Sequence, residues 1–251
     1  MMKDAVVLVC VVFDTLVCAL LAIGASLWKK GGNGAHLVGR LWAKSILFLS
    51  RVKVSVRGLE HIDPGVPYLY MANHQSMFDI FSLLAYLPVQ FRWLAKKELF
   101  QIPVFGYSMT RAGYISIDRS DRRSAHKSLL EAAQKIAGGV SVVIFPEGSR
   151  STDGRVMPFK AGGFHLAIRS GRPIVPVAIS GARQVMPKGK LRIRPGHICI
   201  SIHPPIDTAH YKGKAKKDLM ESVRSIIKQD LERLRETGPW GLTQLKVHSP
   251  S

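Results

Sequence analysis

The first feature of the sequence that points to chemistry is a histidine followed five residues later by an aspartate. His74 and Asp79 lie in the run NHQSMFD, which begins at Asn73. An imidazole held by a carboxylate can act as a general base. On a regular helix, five residues at about 100° each would place the two side chains roughly 140° apart. The pair can therefore meet only if His74 precedes the helix that carries Asp79.

The surrounding pattern supplies a turn of this kind. Residues 66–72 form an apolar run typical of a buried strand, and residues 77–87 continue as a helix that Pro88 ends. His74 is then predicted on a strand-to-helix turn, with Ser76 as the helix N-cap. Ser76-x-x-Asp79 also fits a capping box, in which the acid only satisfies backbone N–H groups. The local sequence does not decide between catalysis and capping.

Strand-like and helical segments alternate along the rest of the chain. Candidate strands are residues 66–72, 91–95, 114–117, 140–145 and 174–179, and candidate helices are 124–137, 161–169 and 215–236. Residues 191–194 and 197–202 flank Pro195-Gly196 and predict a hairpin. We therefore predict one α/β domain with a mixed, largely parallel central sheet flanked by helices.

The charge and the N-terminus favour a membrane partner. The formal net charge of +19 favours an anionic partner, either nucleic acid or a membrane surface. Residues 5–28 form a nearly unbroken apolar stretch, followed by Lys29 and Lys30, that could cross or enter a bilayer. A cleaved signal peptide is the competing interpretation. Asp14 is costly in hydrocarbon and favours a kinked, shallow or partner-packed helix. We predict an N-terminal helical membrane anchor that contacts anionic lipids, and no nucleic-acid partner.

A basic strip follows the apolar stretch. If residues 36–52 are helical, four basic side chains fall within roughly 80° of one another, and apolar side chains lie elsewhere on the wheel. The basic residues are His36, Arg40, Lys44 and Arg51. This pattern predicts an interfacial helix, although a helix packed on the core of the domain would look similar.

Several other catalytic classes lack their motifs here. The sequence has no Gly-x-Ser-x-Gly elbow, Walker loop, His-Glu-x-x-His helix or Cys-x-x-Cys pair, which disfavours a serine hydrolase, a nucleotidase or a zinc enzyme. The 3 cysteines are odd in number, and two of them lie in the apolar stretch. We predict no disulfide framework, no metal site and a reducing compartment for the domain.

Two further runs carry charged residues where predicted strands end. One ends in Asp118 and Arg119, and the other places Glu147, Gly148 and Arg150 after the most hydrophobic strand. Guanidinium groups match phosphate oxygens geometrically, and loops at the carboxyl ends of strands build ligand sites in open α/β sheets. A solvent-exposed turn is the alternative for each run.

Four runs together resemble the glycerolipid acyltransferase family. They are Asn73-His74-x4-Asp79, residues 113–119, Phe145-Pro-Glu-Gly-Ser-Arg150 and residues 174–179. The resemblance spans residues 66–180, and the first and third runs are highly specific when found together. Two positions depart from the family pattern: Ser149 stands where threonine is more usual, and Ser116 where a larger apolar side chain is.

The resemblance implies a role for individual residues. His74 would be the base and Asp79 its orienting partner. The other matching positions would hold the glycerol phosphate of the acceptor: Arg119, Glu147, Gly148, Ser149, Arg150 and Lys160. No metal or other cofactor is implied, since the co-substrate is a thioester of coenzyme A or acyl carrier protein.

The implied reaction moves a fatty acyl group to the sn-2 hydroxyl of 1-acylglycerol-3-phosphate and gives phosphatidic acid. Another lyso-lipid acceptor, such as lyso-ornithine lipid, and a non-catalytic basic membrane-binding protein are the alternatives. The predicted organisation is an anchor at 1–55, an acyltransferase domain at 56–236 and a flexible tail at 237–251. The expected location is the bacterial inner membrane, with the domain on the cytoplasmic side, and the oligomeric state stays open.

Overall fold

The computed structural model describes residues 2–28, 30–118, 121–211 and 215–237. Within these ranges the chain forms nine α-helices and seven β-strands. The helices are α1 (Met2–Trp28), α2 (Asn33–Leu49), α3 (Phe78–Tyr86), α4 (Lys97–Phe100), α5 (Phe105–Arg111), α6 (Arg122–Ala137), α7 (Ala161–Ser170), α8 (Ala182–Val185) and α9 (Lys216–Thr237). The strands are β1 (Val52–Arg57), β2 (Leu69–Ala72), β3 (Phe91–Lys96), β4 (Ile115–Ile117), β5 (Ser141–Ile144), β6 (Ile174–Ser180) and β7 (Gly196–Ile202).

The strands form one sheet in the order β1-β7-β6-β2-β5-β3-β4. Neighbouring strands are parallel except β6 and β7, which are antiparallel. The predicted mixed, largely parallel sheet is confirmed. Strands β2 and β5 lie side by side, with Leu69 opposite Val142 and Met71 opposite Ile144. Because these strands are parallel, the loops that follow them meet at one edge of the sheet.

Helices cover both faces of the sheet. On one face α2, α3 and α8 contribute to a core cluster that includes Ile46 and Phe81. On the other face α6, α7 and α9 contribute to a second cluster that includes Phe164 and Val223. Burial on both faces explains why β2 and β5 are continuous apolar runs.

The N-terminal helix packs against α2 through its few polar residues. Ser45 Oγ donates to Asp14 Oδ2, and Trp42 Nε1 donates to Thr15 Oγ1 over 3.0 Å. Asp14 is therefore accommodated by a partner helix, which is one of the three predicted arrangements. Elsewhere α1 exposes large apolar side chains, among them Phe13 and Leu20. In the described ranges, Leu8–Trp28 is the segment long and apolar enough to cross a bilayer, which favours membrane association.

The prediction that His36 belongs to a basic strip on α2 is wrong. Its side chain is fully buried, with Nδ1 3.2 Å from the Tyr114 hydroxyl and the ring edge-on to Phe91. Burial and, to a smaller extent, the charges of Arg92 and Arg40 together lower the pKa of His36 to about 3. This histidine is a neutral core residue, and apolar side chains of α2 such as Leu41 and Phe48 are exposed instead.

The end of α2 and the start of the sheet also differ from the prediction. The helix ends at Leu49, and Arg51, at φ 55°, turns the chain into β1. Strand β1 crosses the predicted boundary at residue 55 and pairs with β7. Residues 238–251 of the predicted tail lie outside the described residues.

The predicted hairpin at 191–202 is wrong. Strand β7 pairs with β6 and β1, and residues 191–194 form no strand. Ile198 and Ile200 are buried in a strand that has a sheet neighbour on each side, whereas Leu191 is 78% exposed in a basic loop. The apolar alternation of residues 191–194 therefore does not reflect burial in a sheet.

Candidate active site

The turn after β2 brings His74 and Asp79 together. His74 lies two residues after the strand and Asp79 is the second residue of α3, which begins one residue later than predicted. The distance from His74 Nδ1 to Asp79 Oδ2 is 2.9 Å. Asp79 is fully buried, whereas the side chain of His74 is 12% exposed. The prediction that His74 precedes the helix is confirmed.

Asp79 holds the backbone of the turn as well as the imidazole. Its Oδ2 accepts from the backbone N–H groups of Gln75 at 2.6 Å and Ser76 at 2.8 Å. An oxygen that already accepts two N–H bonds is an acceptor for the imidazole too, so His74 Nδ1–H is the donor. The neutral ring then carries its lone pair on Nε2. Capping and orienting the histidine are thus both performed by one carboxylate.

Aromatic stacking fixes the plane of the imidazole. The rings of His74 and Phe145 are stacked, with centroids 3.9 Å apart and planes 12° apart. Trp93 stacks on the other side of Phe145 at 5.6 Å. Two contacts of different kinds, the carboxylate and the ring stack, therefore limit the motion of His74.

Glu147 links the loop after β5 to the loop after β2. Its Oε1 accepts from the His74 N–H at 2.7 Å, and its Oε2 accepts from the Met157 N–H at 3.1 Å. Burial raises the pKa of Glu147 to about 7, although these two hydrogen bonds and the charge of Arg224 favour the ionised form. Asp79 adds to the rise. Each carboxylate oxygen accepts from a backbone N–H group, so Glu147 supports the turn that holds His74, and its predicted contact to the acceptor stays a prediction.

A cavity of about 480 Å³ opens beside this turn. Polar lining residues include His74, Ser149, Arg150, Lys96 and Lys188. The remaining lining is mostly apolar and comes from α1, α2, α3, α5 and β3, for example Ala22, Trp42, Phe81, Trp93 and Met109. A polar mouth with a candidate base, joined to an apolar interior, suits a lipid molecule.

Three of the other predicted residues, Gly148, Ser149 and Arg150, line this cavity. Gly148 has φ 76°, and a Cβ there would lie 2.8 Å from Lys160 Cε. Glycine thus allows the exposed Lys160 side chain to pass over the loop, but Lys160 does not line the cavity. Arg119 lies outside the described residues.

Three features of the site were missed from the sequence. The Asn73 amide pairs with both backbone groups of Ile179, at 2.7 and 2.9 Å, and so joins the end of β2 to β6. Lys97 forms an ion pair of 2.5 Å with Asp118. Lys188 reaches the cavity from a distant loop. A local signal existed for Asn73, which follows directly after the predicted strand at 66–72, and for Lys97, which lies two residues after the predicted strand at 91–95.

Known proteins resemble the chain in sequence and in structure. The Acyltransferase family model matches residues 53–180 of the 251. The chain is 38% identical over 173 residues to the chloroplastic 1-acyl-sn-glycerol-3-phosphate acyltransferase BAT2 of Brassica napus, covering 68% of this chain and 50% of that protein. It thus spans about half the length of that relative.

Two further comparisons cover more of both chains. The chain is 33% identical over 219 residues to the 1-acyl-sn-glycerol-3-phosphate acyltransferase alpha of Bos taurus, covering 86% of this chain and 76% of that protein. The crystal structure of the 1-acyl-sn-glycerophosphate (LPA) acyltransferase PlsC from Thermotoga maritima aligns with a TM-score of 0.79 at 26% identity. That alignment covers 93% of this chain and 97% of the other.

Proposed function

The chain belongs to the Acyltransferase family, and from this premise we propose that it acylates the sn-2 hydroxyl of 1-acylglycerol-3-phosphate to give phosphatidic acid. The observation that carries the proposal is the His74–Asp79 pair at the mouth of a cavity with an apolar interior. The names of the relatives from Brassica napus and Bos taurus support the choice of acceptor. The donor is a fatty acyl thioester of coenzyme A or acyl carrier protein.

In the proposed mechanism His74 acts as a general base. Its Nε2 removes the proton from the acceptor hydroxyl while that oxygen attacks the thioester carbonyl carbon. The tetrahedral intermediate then collapses, the C–S bond breaks, and the proton held by His74 can pass to the departing thiolate. Asp79 stabilises the transient imidazolium and keeps the tautomer with its lone pair on Nε2. The proposal requires no metal and no covalent acyl-enzyme, because a thioester is already activated.

The acceptor phosphate is proposed to lie over the loop that follows β5. Gly148, Ser149 and Arg150 line the cavity on this side. A guanidinium group such as Arg150 matches phosphate oxygens. We also assign Arg119 and Lys160 to phosphate binding on the strength of the family resemblance. Glu147 stabilises this loop and the turn of His74 by accepting hydrogen bonds from the backbone N–H groups of His74 and Met157.

The apolar part of the cavity and the N-terminal helices suit a substrate that resides in a membrane. Helices α1 and α2 line the cavity and also expose apolar side chains on their outer surfaces. A basic protein surface attracts the anionic lipids of a cytoplasmic leaflet. We propose that the chain is held at a bacterial inner membrane with the domain on the cytoplasmic side, consistent with Lys29 and Lys30 after the apolar segment.

The test is acyl transfer in liposomes with wild type and His74→Ala side by side. Labelled acyl-CoA and acyl carrier protein are offered as donors, and lysophosphatidic acid and lyso-ornithine lipid as acceptors. Phosphatidic acid from wild type alone is the expected result. Acylation of lyso-ornithine lipid alone would show that this lipid, and not lysophosphatidic acid, is the acceptor. Equal turnover by wild type and His74→Ala would overturn the assignment of His74 as the base. A folded wild type that acylates nothing would favour the non-catalytic alternative.

A further inference from the structure

One cation at the mouth of the cavity comes from a loop to which neither the sequence nor the family resemblance assigned a role. The loop between α8 and β7, residues 186–195, is basic and carries Lys188, Lys190, Arg192 and Arg194. Of these four residues Lys188 alone lines the cavity, where it joins His74, Ser149 and Arg150. We call residues 186–195 the basic loop.

The basic loop is hydrogen-bonded to the two loops that form the candidate active site, the one after β2 and the one after β5. At its start, Ser76 Oγ donates to the Met186 carbonyl at 2.7 Å, and Ser76 belongs to the turn that holds His74. Further along, Lys188 Nζ donates to the Arg150 carbonyl at 2.8 Å. The ammonium group is therefore held at a fixed place relative to His74 and Arg150, although its side chain is exposed.

No carboxylate among the described residues neutralises the charge of Lys188. Its bond to Arg150 is to a neutral carbonyl, and no described carboxylate lies within ion-pair distance of its Nζ. Lys96, which lines the same cavity, differs because it pairs with Glu98 at 3.0 Å. An ammonium group has three N–H donors, so Lys188 keeps two after the bond to Arg150. These two donors are available to an anion at the mouth.

We propose that Lys188 binds the phosphate of the acceptor, together with Arg150. The proposal rests on the proposed function and names a further binding residue for that reaction. A phosphomonoester carries close to two negative charges at neutral pH, so a second cation beside Arg150 matches the charge of the ligand. A lysine that is held by a carbonyl also loses less side-chain entropy on binding than one that is free in solvent.

The alternative is that Lys188 only ties the basic loop to the Arg150 carbonyl. The variant Lys188→Gln separates the two roles, because an amide can still donate to a carbonyl but carries no charge. Lys190→Gln is the matched control: Lys190 lies two residues away on the same exposed loop and does not line the cavity. Lys188→Arg keeps the charge and tests rescue.

The experiment measures KM for lysophosphatidic acid, KM for the acyl donor, kcat, and competitive inhibition by glycerol 3-phosphate. In Lys188→Gln the acceptor KM and the inhibition constant are expected to rise about tenfold, the loss of one charge-assisted contact. The donor KM and kcat are expected to change less than twofold. Lys190→Gln should match wild type, and Lys188→Arg should recover most of the affinity.

Three outcomes would overturn the assignment of Lys188. They are an unchanged acceptor KM in Lys188→Gln, an equal rise in both KM values with a lower melting temperature, and the same rise in Lys190→Gln. The last would indicate a general effect of surface charge. A wild type that acylates lysophosphatidic acid with an unaffected Lys188→Gln would reject this inference alone. An inactive wild type would reject the proposed function and this inference together.

Discussion

Within the described ranges a histidine lies beside a buried aspartate twice, at the turn after β2 and at the inner side of α9. At the first place His74 Nδ1 lies 2.9 Å from Asp79 Oδ2. At the second, His203 Nε2 lies 3.3 Å from Asp230 Oδ2, and the Asp230 side chain is 3% exposed. By residue type and burial the two pairs are alike, so neither distance nor burial identifies a base.

The surroundings of the two aspartates differ. Asp230 also binds the guanidinium groups of Arg57 and Arg233, each at 2.7 Å, so its charge is already compensated. Among described residues Asp79 has no such cation and accepts only backbone N–H groups and the imidazole. His74 also borders the cavity, whereas His203 is not among its lining residues. A histidine–aspartate pair can serve as a base when the carboxylate keeps its charge for an imidazolium and the ring reaches substrate.

The largest expected effect separates the two histidines. His74→Ala should lower turnover by about 10²- to 10⁴-fold, the typical contribution of a general base, while the protein stays folded. His203→Ala should keep turnover within about threefold, because His203 is not in contact with the cavity. Initial rates with lysophosphatidic acid, normalised to folded protein, measure both. Comparable losses in the two variants would contradict the assignment of His74 as the base.

Substitution of the two aspartates should affect different properties, turnover for Asp79 and stability for Asp230. Asp79→Asn leaves the base but removes the charge that stabilises imidazolium and selects its tautomer, so turnover should fall roughly 10²-fold. Asp230→Asn should instead lower the free energy of unfolding by about 1–3 kcal/mol, since Arg57 and Arg233 lose their partner. Urea unfolding in mild detergent measures stability and steady-state rates measure turnover, so together they distinguish the two effects. An Asp230→Asn enzyme with normal stability and low kcat would contradict the structural role.

Arginines next to the two sites provide a third contrast. Arg150→Ala should raise the acceptor KM roughly tenfold or more, because a charge-assisted contact to phosphate is lost. Arg57→Ala should leave both KM values unchanged and lower stability, since Arg57 binds Asp230 and Ser201 within the fold. Kinetics with varied acceptor and fixed donor distinguish the two. An unchanged acceptor KM in Arg150→Ala would indicate that the phosphate does not bind at the loop that carries Arg150.

The parts of the fold that were predictable are those encoded by neighbouring residues. The continuous apolar runs at β2, β5 and β6 identify buried strands, and the spacing of His74 and Asp79 requires the turn that is observed. Strand β7 could not be placed in this way. Its partners are β6 and β1, and β1 lies far away in the sequence. The local alternation at 191–194 predicts a hairpin partner for β7 instead, and that prediction is wrong.

The same limit applied to the site. Glu147 was recognised by type and position, but its contact with the His74 N–H spans 73 residues and depends on β2 and β5 being neighbours. Lys188 depends on Ser76 holding Met186, a contact across 110 residues. His36 looked like part of a basic strip because helical periodicity does not show which face meets Tyr114.

The smallest expected effect concerns pH, where Glu147 and Asp230 should act with opposite sign. Burial raises the folded pKa of Glu147 to about 7 from 4.5, so between these pH values the folded state keeps a proton that the unfolded state has released. The free energy of unfolding should then decrease as pH rises from 5 to 7.5. The difference between wild type and Glu147→Gln should fall by about 1 kcal/mol per pH unit in this window.

For Asp230, burial alone would raise the pKa, but the polar contacts of His203, Ser201 and Arg233 and the charge of Arg57 hold it well below its usual range. Its stabilisation is therefore complete above about pH 4 and is lost as pH falls further. The difference between wild type and Asp230→Asn should be flat from pH 5 to 7.5 and decrease below pH 4. If the Glu147→Gln difference rose with pH instead, the hydrogen bonds from His74 and Met157 would outweigh burial, and Glu147 would be an ionised support at all working pH values.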